Sequence, residues 1–215
     1  MDISQYIKSS LGLWKLDKNE VKKVSDKNYS ILLGSLLIAI TTTFTLFFVL
    51  LPELIVPSGE FVFNDRDWTV TILLLLPIIG LFSTLIAIVG ILWSHLWIKI
   101  FGGQRNILKT IEVFLVIQVP LLFFNILISA IDSVILILAG LYSEFIALLT
   151  LLTGLVTFAF TIYYIIVIVN TISVTHNMST LNTILAGFIS TIVFLILLVI
   201  IVLIPVVILY PNLFI

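Results

Sequence analysis

Cysteine is absent from the 215 residues of this chain, and charged side chains are scarce. Without cysteine there are no disulfides and no thiolate metal sites. Charged residues make up 10% of the sequence, against about 25% in soluble domains, which need them to cover their surface. The net charge of −1 exerts no general attraction on nucleic acid or anionic lipid. These shortages exclude a water-soluble domain and a nucleic-acid partner.

Motifs of catalysis and of nucleotide binding are also missing. Neither GxSxG nor HExxH occurs, and Gly102-Gly103 follows an apolar run instead of opening a phosphate-binding loop. We therefore expect no enzymatic activity and no cofactor.

Apolar residues dominate what is present, at 61% of the chain, with a mean hydropathy of +1.34. A helix needs about 20 such residues to cross a bilayer. The sequence therefore predicts an all-α integral membrane domain over 30–215, with five spans near 30–51, 69–97, 107–130, 142–169 and 181–210. Pro52 is expected to close the first span. Residues 132–141 either extend the third span or form a re-entrant segment.

The few charges alternate in sign from loop to loop. The N-terminal segment, residues 1–29, contains six lysines: Lys8, Lys15, Lys18, Lys22, Lys23 and Lys27. The next loop is acidic, with Glu53, Glu60, Asp65 and Asp67, and the one after it is basic, with Lys99, Arg105 and Lys109. Lysine and arginine favour the cytoplasmic side. The pattern predicts a cytoplasmic N-terminus and an outside C-terminus.

The N-terminal segment begins with an amphipathic pattern. Its apolar face consists of Ile3, Tyr6, Ile7, Leu11, Leu13 and Trp14. Together with flanking lysines, such a face indicates a helix lying in the membrane interface. The alternative is a helix docked on the cytoplasmic ends of the bundle.

Small residues recur on one face of the second span, from Gly80 through Gly90, and on the fourth span around Gly154. Such stripes let neighbouring helix backbones approach closely. We expect tight packing at both, and Gly90 in particular to lie at a helix contact.

The third span has a polar face. Gln118, Asn125, Ser129 and Asp132 share it, and Pro120 lies among them and leaves a backbone carbonyl one turn earlier without its donor. Polar groups in lipid need partners inside the bundle. We interpret this face as interhelical hydrogen bonding, with a polar pathway for a solute as the alternative.

Both histidines fall on the predicted cytoplasmic side, His95 near the end of the second span and His176 between the last two. We expect the two inner turns to meet and the imidazoles to face polar groups, the alternative being that each reaches headgroup water. Glu112 lies at a similar depth, which would complete a two-histidine, one-carboxylate metal site, but no ligand spacing supports one. The alternative is that Glu112 pairs with Lys109 or Arg105. The predicted inner-surface cluster comprises His95, Gly102, Gly103, Thr110, Glu112 and His176.

Two stretches of the sequence carry a resemblance to a known family. His95 through Gly102-Gly103, running on to Thr110 and Pro120, resembles the His…Gly-Gly…Thr…Pro signature of the Ypt-interacting-protein (Yip) domain family. The run Val174–Ser179, around His176, is similar to the polar turn before that family's last span. Five spans and a cytosolic N-terminus are also its architecture.

The resemblance implies a non-enzymatic scaffold or adaptor in a membrane, whose eukaryotic relatives act in vesicle trafficking through Rab-type GTPases. This chain lacks the Asp-Leu-Tyr-Gly-Pro motif of those members, which argues against GTPase binding and for a prokaryotic-type member of a cell membrane. The implied partners are lipids, other membrane proteins or a second copy of the chain. The alternative function is a small-solute or ion transporter or channel that uses the polar face of the third span.

Overall fold

The structure, a computed structural model, describes residues 3–55, 66–139 and 143–209, and all regular structure in these ranges is α-helical. The helices are α1 (Ile3–Leu13), α2 (Lys18–Asp26), α3 (Ile31–Ile55), α4 (Arg66–Ile100), α5 (Ile107–Ala139), α6 (Ser143–His176) and α7 (Thr180–Leu209).

Helices α3 to α7 are the five that are long and apolar enough to cross a membrane. Their apolar segments are Ile31–Pro52, Leu73–Ile100, Ile107–Leu138, Ala147–His176 and Thr180–Ile201. Bulky side chains such as Leu32 and Leu74 are 71% and 70% exposed. Apolar surface of this extent is stable against lipid acyl chains but not against water. The chain is therefore a multi-pass membrane protein, as its composition predicts.

Several helices continue beyond the predicted span limits. Pro52 does not end α3, which runs on to Ile55. Proline removes the N–H that would bond to the carbonyl four residues earlier, and that carbonyl, on Phe48, accepts a hydrogen bond from the hydroxyl of Ser133 on α5 instead. The proline therefore creates an interhelical contact.

The uncertain stretch after the third span is helical. Residues 132–139 extend α5 without interruption, so the described part is not re-entrant. Residues 140 and 141 lie outside the described ranges, as do Tyr142 and Tyr210 at the predicted limits of the fourth and fifth spans.

The contacts among the five long helices close into a ring. α3 packs against α4 and α5, α5 against α6, α6 against α7, and α7 against α4. Side-chain donors on α4 bond to backbone carbonyls of its neighbours: Thr84 Oγ1 donates to Ser35 O at 3.3 Å, and Trp93 Nε1 donates to Ser190 O at 3.0 Å.

Only part of the small-residue stripe on α4 lies at a helix contact. A Cβ added to Gly80 would come within 2.5 Å of Ala39 O on α3, so the two backbones meet there. An added Cβ at Gly90 would meet nothing within 4 Å, and the prediction that Gly90 lies at a contact is wrong. The neighbouring Ile91 makes the contact at that level, in a cluster with Ile38. Gly154 on α6 is equally open.

The N-terminal helices dock on the bundle where α5 begins and α6 ends. α1 packs against α5, and α2 packs against α6. Tyr6 and Leu13 are fully buried in this contact, whereas Ile3 and Leu11 remain 51% and 53% exposed. The predicted apolar face of α1 is thus divided. One part contacts the bundle, and the other is open to the surroundings.

Candidate functional site at the histidine end

The α4–α5 turn reverses the chain through its two glycines. Gly102 has φ +96°, a conformation that glycine adopts without steric penalty. Gly102 N donates to Lys99 O at 3.1 Å and Gly103 N to Ile98 O at 2.8 Å, the two bonds of a Schellman motif. A Cβ on Gly103 would lie 2.8 Å from Ile98 O, so this position also excludes a side chain.

The α6–α7 turn has the same geometry. Asn177 takes the left-handed position with φ 52°, and Met178 N donates to Ser173 O at 2.9 Å. Ser179 then caps α7, its Oγ accepting Asn182 N at 3.1 Å. The reversal and the cap together place His176 and Thr180 at the same end of the bundle as Gly102. We call this end, formed by the α4–α5 and α6–α7 turns, the histidine end.

Hydrogen bonds join the two turns to each other. Gln104 N donates to His176 O at 3.2 Å, and Asn177 Nδ2 donates to Gln104 Oε1 at 3.2 Å. Arg105 Nε reaches Thr175 O at 3.3 Å. The two turns therefore form one continuous polar surface.

Thr110 links the two histidines beneath that surface. Its Oγ1 lies 2.7 Å from His95 Nδ1 and 3.1 Å from His176 Nε2, and the two ring centroids are 6.0 Å apart. His176 and Thr110 are fully buried, and His95 is 8% exposed. The structure thus brings together the histidines as the sequence pattern predicts, facing a polar group rather than headgroup water.

The hydroxyl of Thr110 has one proton for its three neighbours. It lies 3.3 Å from Asn106 O as well as near both imidazoles. At least one imidazole must therefore donate an N–H to Oγ1. His176 Nδ1 is buried without a partner among the described residues, and a Cβ on Gly103 would lie 3.2 Å from it. The ring therefore packs against the glycine turn, where no side chain could be accommodated.

Glu112 does not join the histidines. Its carboxylate pairs with Lys109 Nζ at 3.1 Å, and both side chains are largely buried. Within the described ranges no three His, Asp or Glu side chains are grouped so that they could hold a metal ion. In this geometry a two-histidine, one-carboxylate metal site has no third ligand.

The N-terminal segment is attached to the same end by charged and aromatic groups. Arg105 pairs with Asp26 at 3.2 Å, and Lys109 Nζ donates to Lys27 O. The Lys109 ammonium also lies 5.7 Å from the centre of the Tyr29 ring. Burial raises the pKa of Tyr29 above its ordinary value, and the nearby Glu112 carboxylate adds to this effect, so the phenol stays neutral.

Trp14 anchors the end of α1 in the bundle. Its Nε1 donates to Ile117 O on α5 at 3.0 Å, and its ring stacks on Phe160 and Tyr164 of α6 at centroid distances of 4.9 and 5.8 Å. The sequence pattern did not predict this contact. Its one signal is the aromatic run on α6, which includes Phe160 and Tyr164.

The predicted polar face of α5 is not assembled into a single site. Gln118, Pro120, Asn125 and Ser129 are half-buried along the helix. Ser129 O accepts a hydrogen bond from Ser133 within α5. Farther along this face, Asp132 lines a groove of about 620 Å³ beside the threonines of α6.

Two of those threonines do not bond across the groove. Thr153 and Thr161 donate to the carbonyls of Thr150 and Thr157 in their own helix. These two hydroxyls therefore provide no hydrogen bond to the polar face of α5.

A family model described as the Yip1 domain matches residues 21–204. The matched region contains the two turns, both histidines and all five candidate spans up to residue 204. α1 and Trp14 precede it. No curated protein and no solved structure matches the chain significantly.

Proposed function

Because the chain belongs to the Yip1 domain family, we propose that it is a non-enzymatic membrane scaffold that holds membrane partners or lipids at its histidine end. One observation carries the proposal. The N-terminal segment, both turns and the start of α5 are held together as one surface by hydrogen bonds and ion pairs.

The polar side chains of this end serve to hold the surface together. Thr110 is hydrogen-bonded to a ring nitrogen of each histidine. Lys109 forms an ion pair with Glu112, and Asp26 forms one with Arg105. Such a surface is ordered before a partner arrives, so binding costs less conformational entropy. Pre-organisation of this kind suits an adaptor.

We place the histidine end in the cytoplasm. The basis is the distribution of charge: Lys99, Arg105 and Lys109 lie in the α4–α5 turn and at the start of α5, beside the lysine-rich N-terminal segment. For a prokaryotic-type member the membrane would be the cell membrane. The proposed partners are other membrane proteins or a second copy of the chain.

Site-specific photo-cross-linking in native membranes tests this function. A photoreactive residue replaces the exposed Gln104 at the histidine end in one variant and Leu127, 57% exposed on the lipid-facing side of α5, in another. We expect defined protein adducts from position 104 and only lipid adducts from position 127. Protein adducts that are absent, or identical from both positions, would contradict a scaffold that works through this end.

A further inference from the structure

A groove of about 520 Å³ separates α2 from the end of α6 and the start of α7. Lys18, Asn19 and Lys22 line it from α2. The opposite wall is formed by residues between Asn170 and Thr180. Neither His95 nor His176 lines this groove, so it is separate from the histidine pair.

The α2 wall presents two exposed lysines. Lys18 and Lys22 are one helical turn apart and exposed, and neither forms an ion pair within the part of the chain that the structure describes. The nearby Glu20 is engaged by Lys23 at 2.7 Å, and Asp17 caps α2 by accepting Asn19 N at 2.8 Å. No carboxylate is among the residues that line the groove.

The opposite wall adds hydrogen-bond donors. Helix α7 begins here at Thr180, and the first N–H groups of a helix lie at its positive end. Ser179 accepts one of them, Asn182 N, and the positive end of the helix dipole still faces this wall. The lysines of one wall and the start of α7 on the other therefore favour an anion.

The position of the groove relative to the membrane indicates which anion it meets. The apolar segment of α6 ends at His176 and that of α7 begins at Thr180, so the groove lies where two spans leave the hydrocarbon. We propose that it binds the phosphate of an anionic lipid headgroup. Lysines bind phosphate as point charges, and a surface that meets the headgroup region encounters lipid phosphate first.

This inference names a lipid class for the proposed scaffold. It rests on that proposal only for placing the histidine end at a membrane surface.

Lipid-dependent thermal stabilisation of the purified full chain in detergent tests the headgroup site. A ligand that binds only the folded state raises the melting temperature, and at a given concentration the increase is larger the tighter it binds. We expect phosphatidylglycerol to stabilise the protein more than phosphatidylcholine does. In the double variant Lys18→Gln/Lys22→Gln the apparent affinity for phosphatidylglycerol should fall about 25-fold, at about fivefold per lysine.

Two further variants separate this site from general surface charge and from misfolding. Lys8→Gln/Lys27→Gln removes the same charge from exposed positions outside the groove and should retain most of the affinity. Lys18→Arg/Lys22→Arg keeps the charge and should retain it as well. Equal losses in the two glutamine variants would overturn the proposal, because they would indicate diffuse attraction.

The same thermal measurement with inorganic phosphate completes the test. If inorganic phosphate stabilises the protein as strongly as the lipid does at equal concentration, the groove binds soluble phosphate and the proposal is wrong. Cross-linking from position 104 separates the two proposals. Lipid binding that is absent while protein adducts persist would contradict the headgroup site alone.

Discussion

At the scale of single residues, one hydroxyl organises the histidine end. Thr110 is fully buried and is the hydrogen-bond partner of both imidazoles. A buried polar group that loses its partner costs more than the hydrogen bond contributed while it was intact. The three side chains therefore depend on one another even though they come from three helices.

Thr110→Val removes this hydroxyl at nearly constant volume. We expect the free energy of unfolding to fall by about 2 kcal/mol, because two buried imidazole nitrogens lose their partner. Denaturant unfolding in detergent would measure the change. Thr110→Ser keeps the hydroxyl and should retain most of the stability of the unsubstituted protein. Thr161→Val is the matched control, since Thr161 is exposed and bonds only to Thr157 O in its own helix. Equal stability of the two valine variants would contradict the role of Thr110.

Gly103→Ala tests the close packing of the α4–α5 turn. The new Cβ would lie 2.5 Å from Ile98 Cγ2 and 2.8 Å from Ile98 O, and the backbone atom cannot move aside without breaking the turn. We expect a loss of about 1–3 kcal/mol, typical of overpacking, measured as a lower melting temperature in detergent. Gly154→Ala, with nothing within 4 Å of the added atom, should leave it unchanged. A Gly103→Ala protein that melts like Gly154→Ala would show that the turn can relax.

At the scale of helices, a proline in α3 frees a backbone acceptor that another helix uses. Phe48 O, left without a helical donor by Pro52, accepts from Ser133 on α5. In lipid such a carbonyl must find a partner inside the protein. Pro52 therefore helps to determine how α3 and α5 pack together. On α5, Ile117 O accepts a hydrogen bond from Trp14 of the N-terminal segment.

Trp14→Phe separates the hydrogen bond of the tryptophan from its stacking. Loss of the Nε1 bond to Ile117 O should weaken docking of the N-terminal segment by about 1 kcal/mol, which makes its transient release roughly fivefold more frequent. Tryptic cleavage at Lys15 to Lys27 in detergent micelles should accelerate by the same factor. Leu11→Ala, at a position 53% exposed, should not change the rate. An unchanged rate for Trp14→Phe would indicate that stacking alone anchors the segment.

At the scale of the whole molecule, the five candidate spans within the described ranges lead us to predict that the two termini lie on opposite sides of the membrane. Since the chain contains no cysteine, single cysteines can be introduced without background labelling. A cysteine at Ser58 should react with an impermeant maleimide from outside, and one at Ser179 only after the inner side is made accessible. Labelling of both from the same side would contradict five spans.

The sequence by itself determined the membrane class, the existence of five spans and the family. Runs of about 20 apolar residues cannot be stable in water, and this reasoning needs no tertiary information. The prediction that the two inner turns meet rested on span count and depth, and the structure places His95 and His176 on one hydroxyl. The sequence was sufficient for features that depend on the local pattern of apolar and charged residues.

Only the tertiary structure decided which polar and small residues have partners. Gly80 and Gly90 are alike in sequence context, but only Gly80 meets a neighbouring backbone, because contact depends on where two helices cross. The structure selects Lys109 over Arg105 as the partner of Glu112, as one of the two pairings that the sequence predicted. Trp14 bonds to a carbonyl more than a hundred residues away. The apolar pattern of α1 could not distinguish a membrane surface from the bundle, because both favour apolar side chains on one face of a helix. Such pairings depend on long-range geometry, which hydropathy and spacing along the chain do not encode.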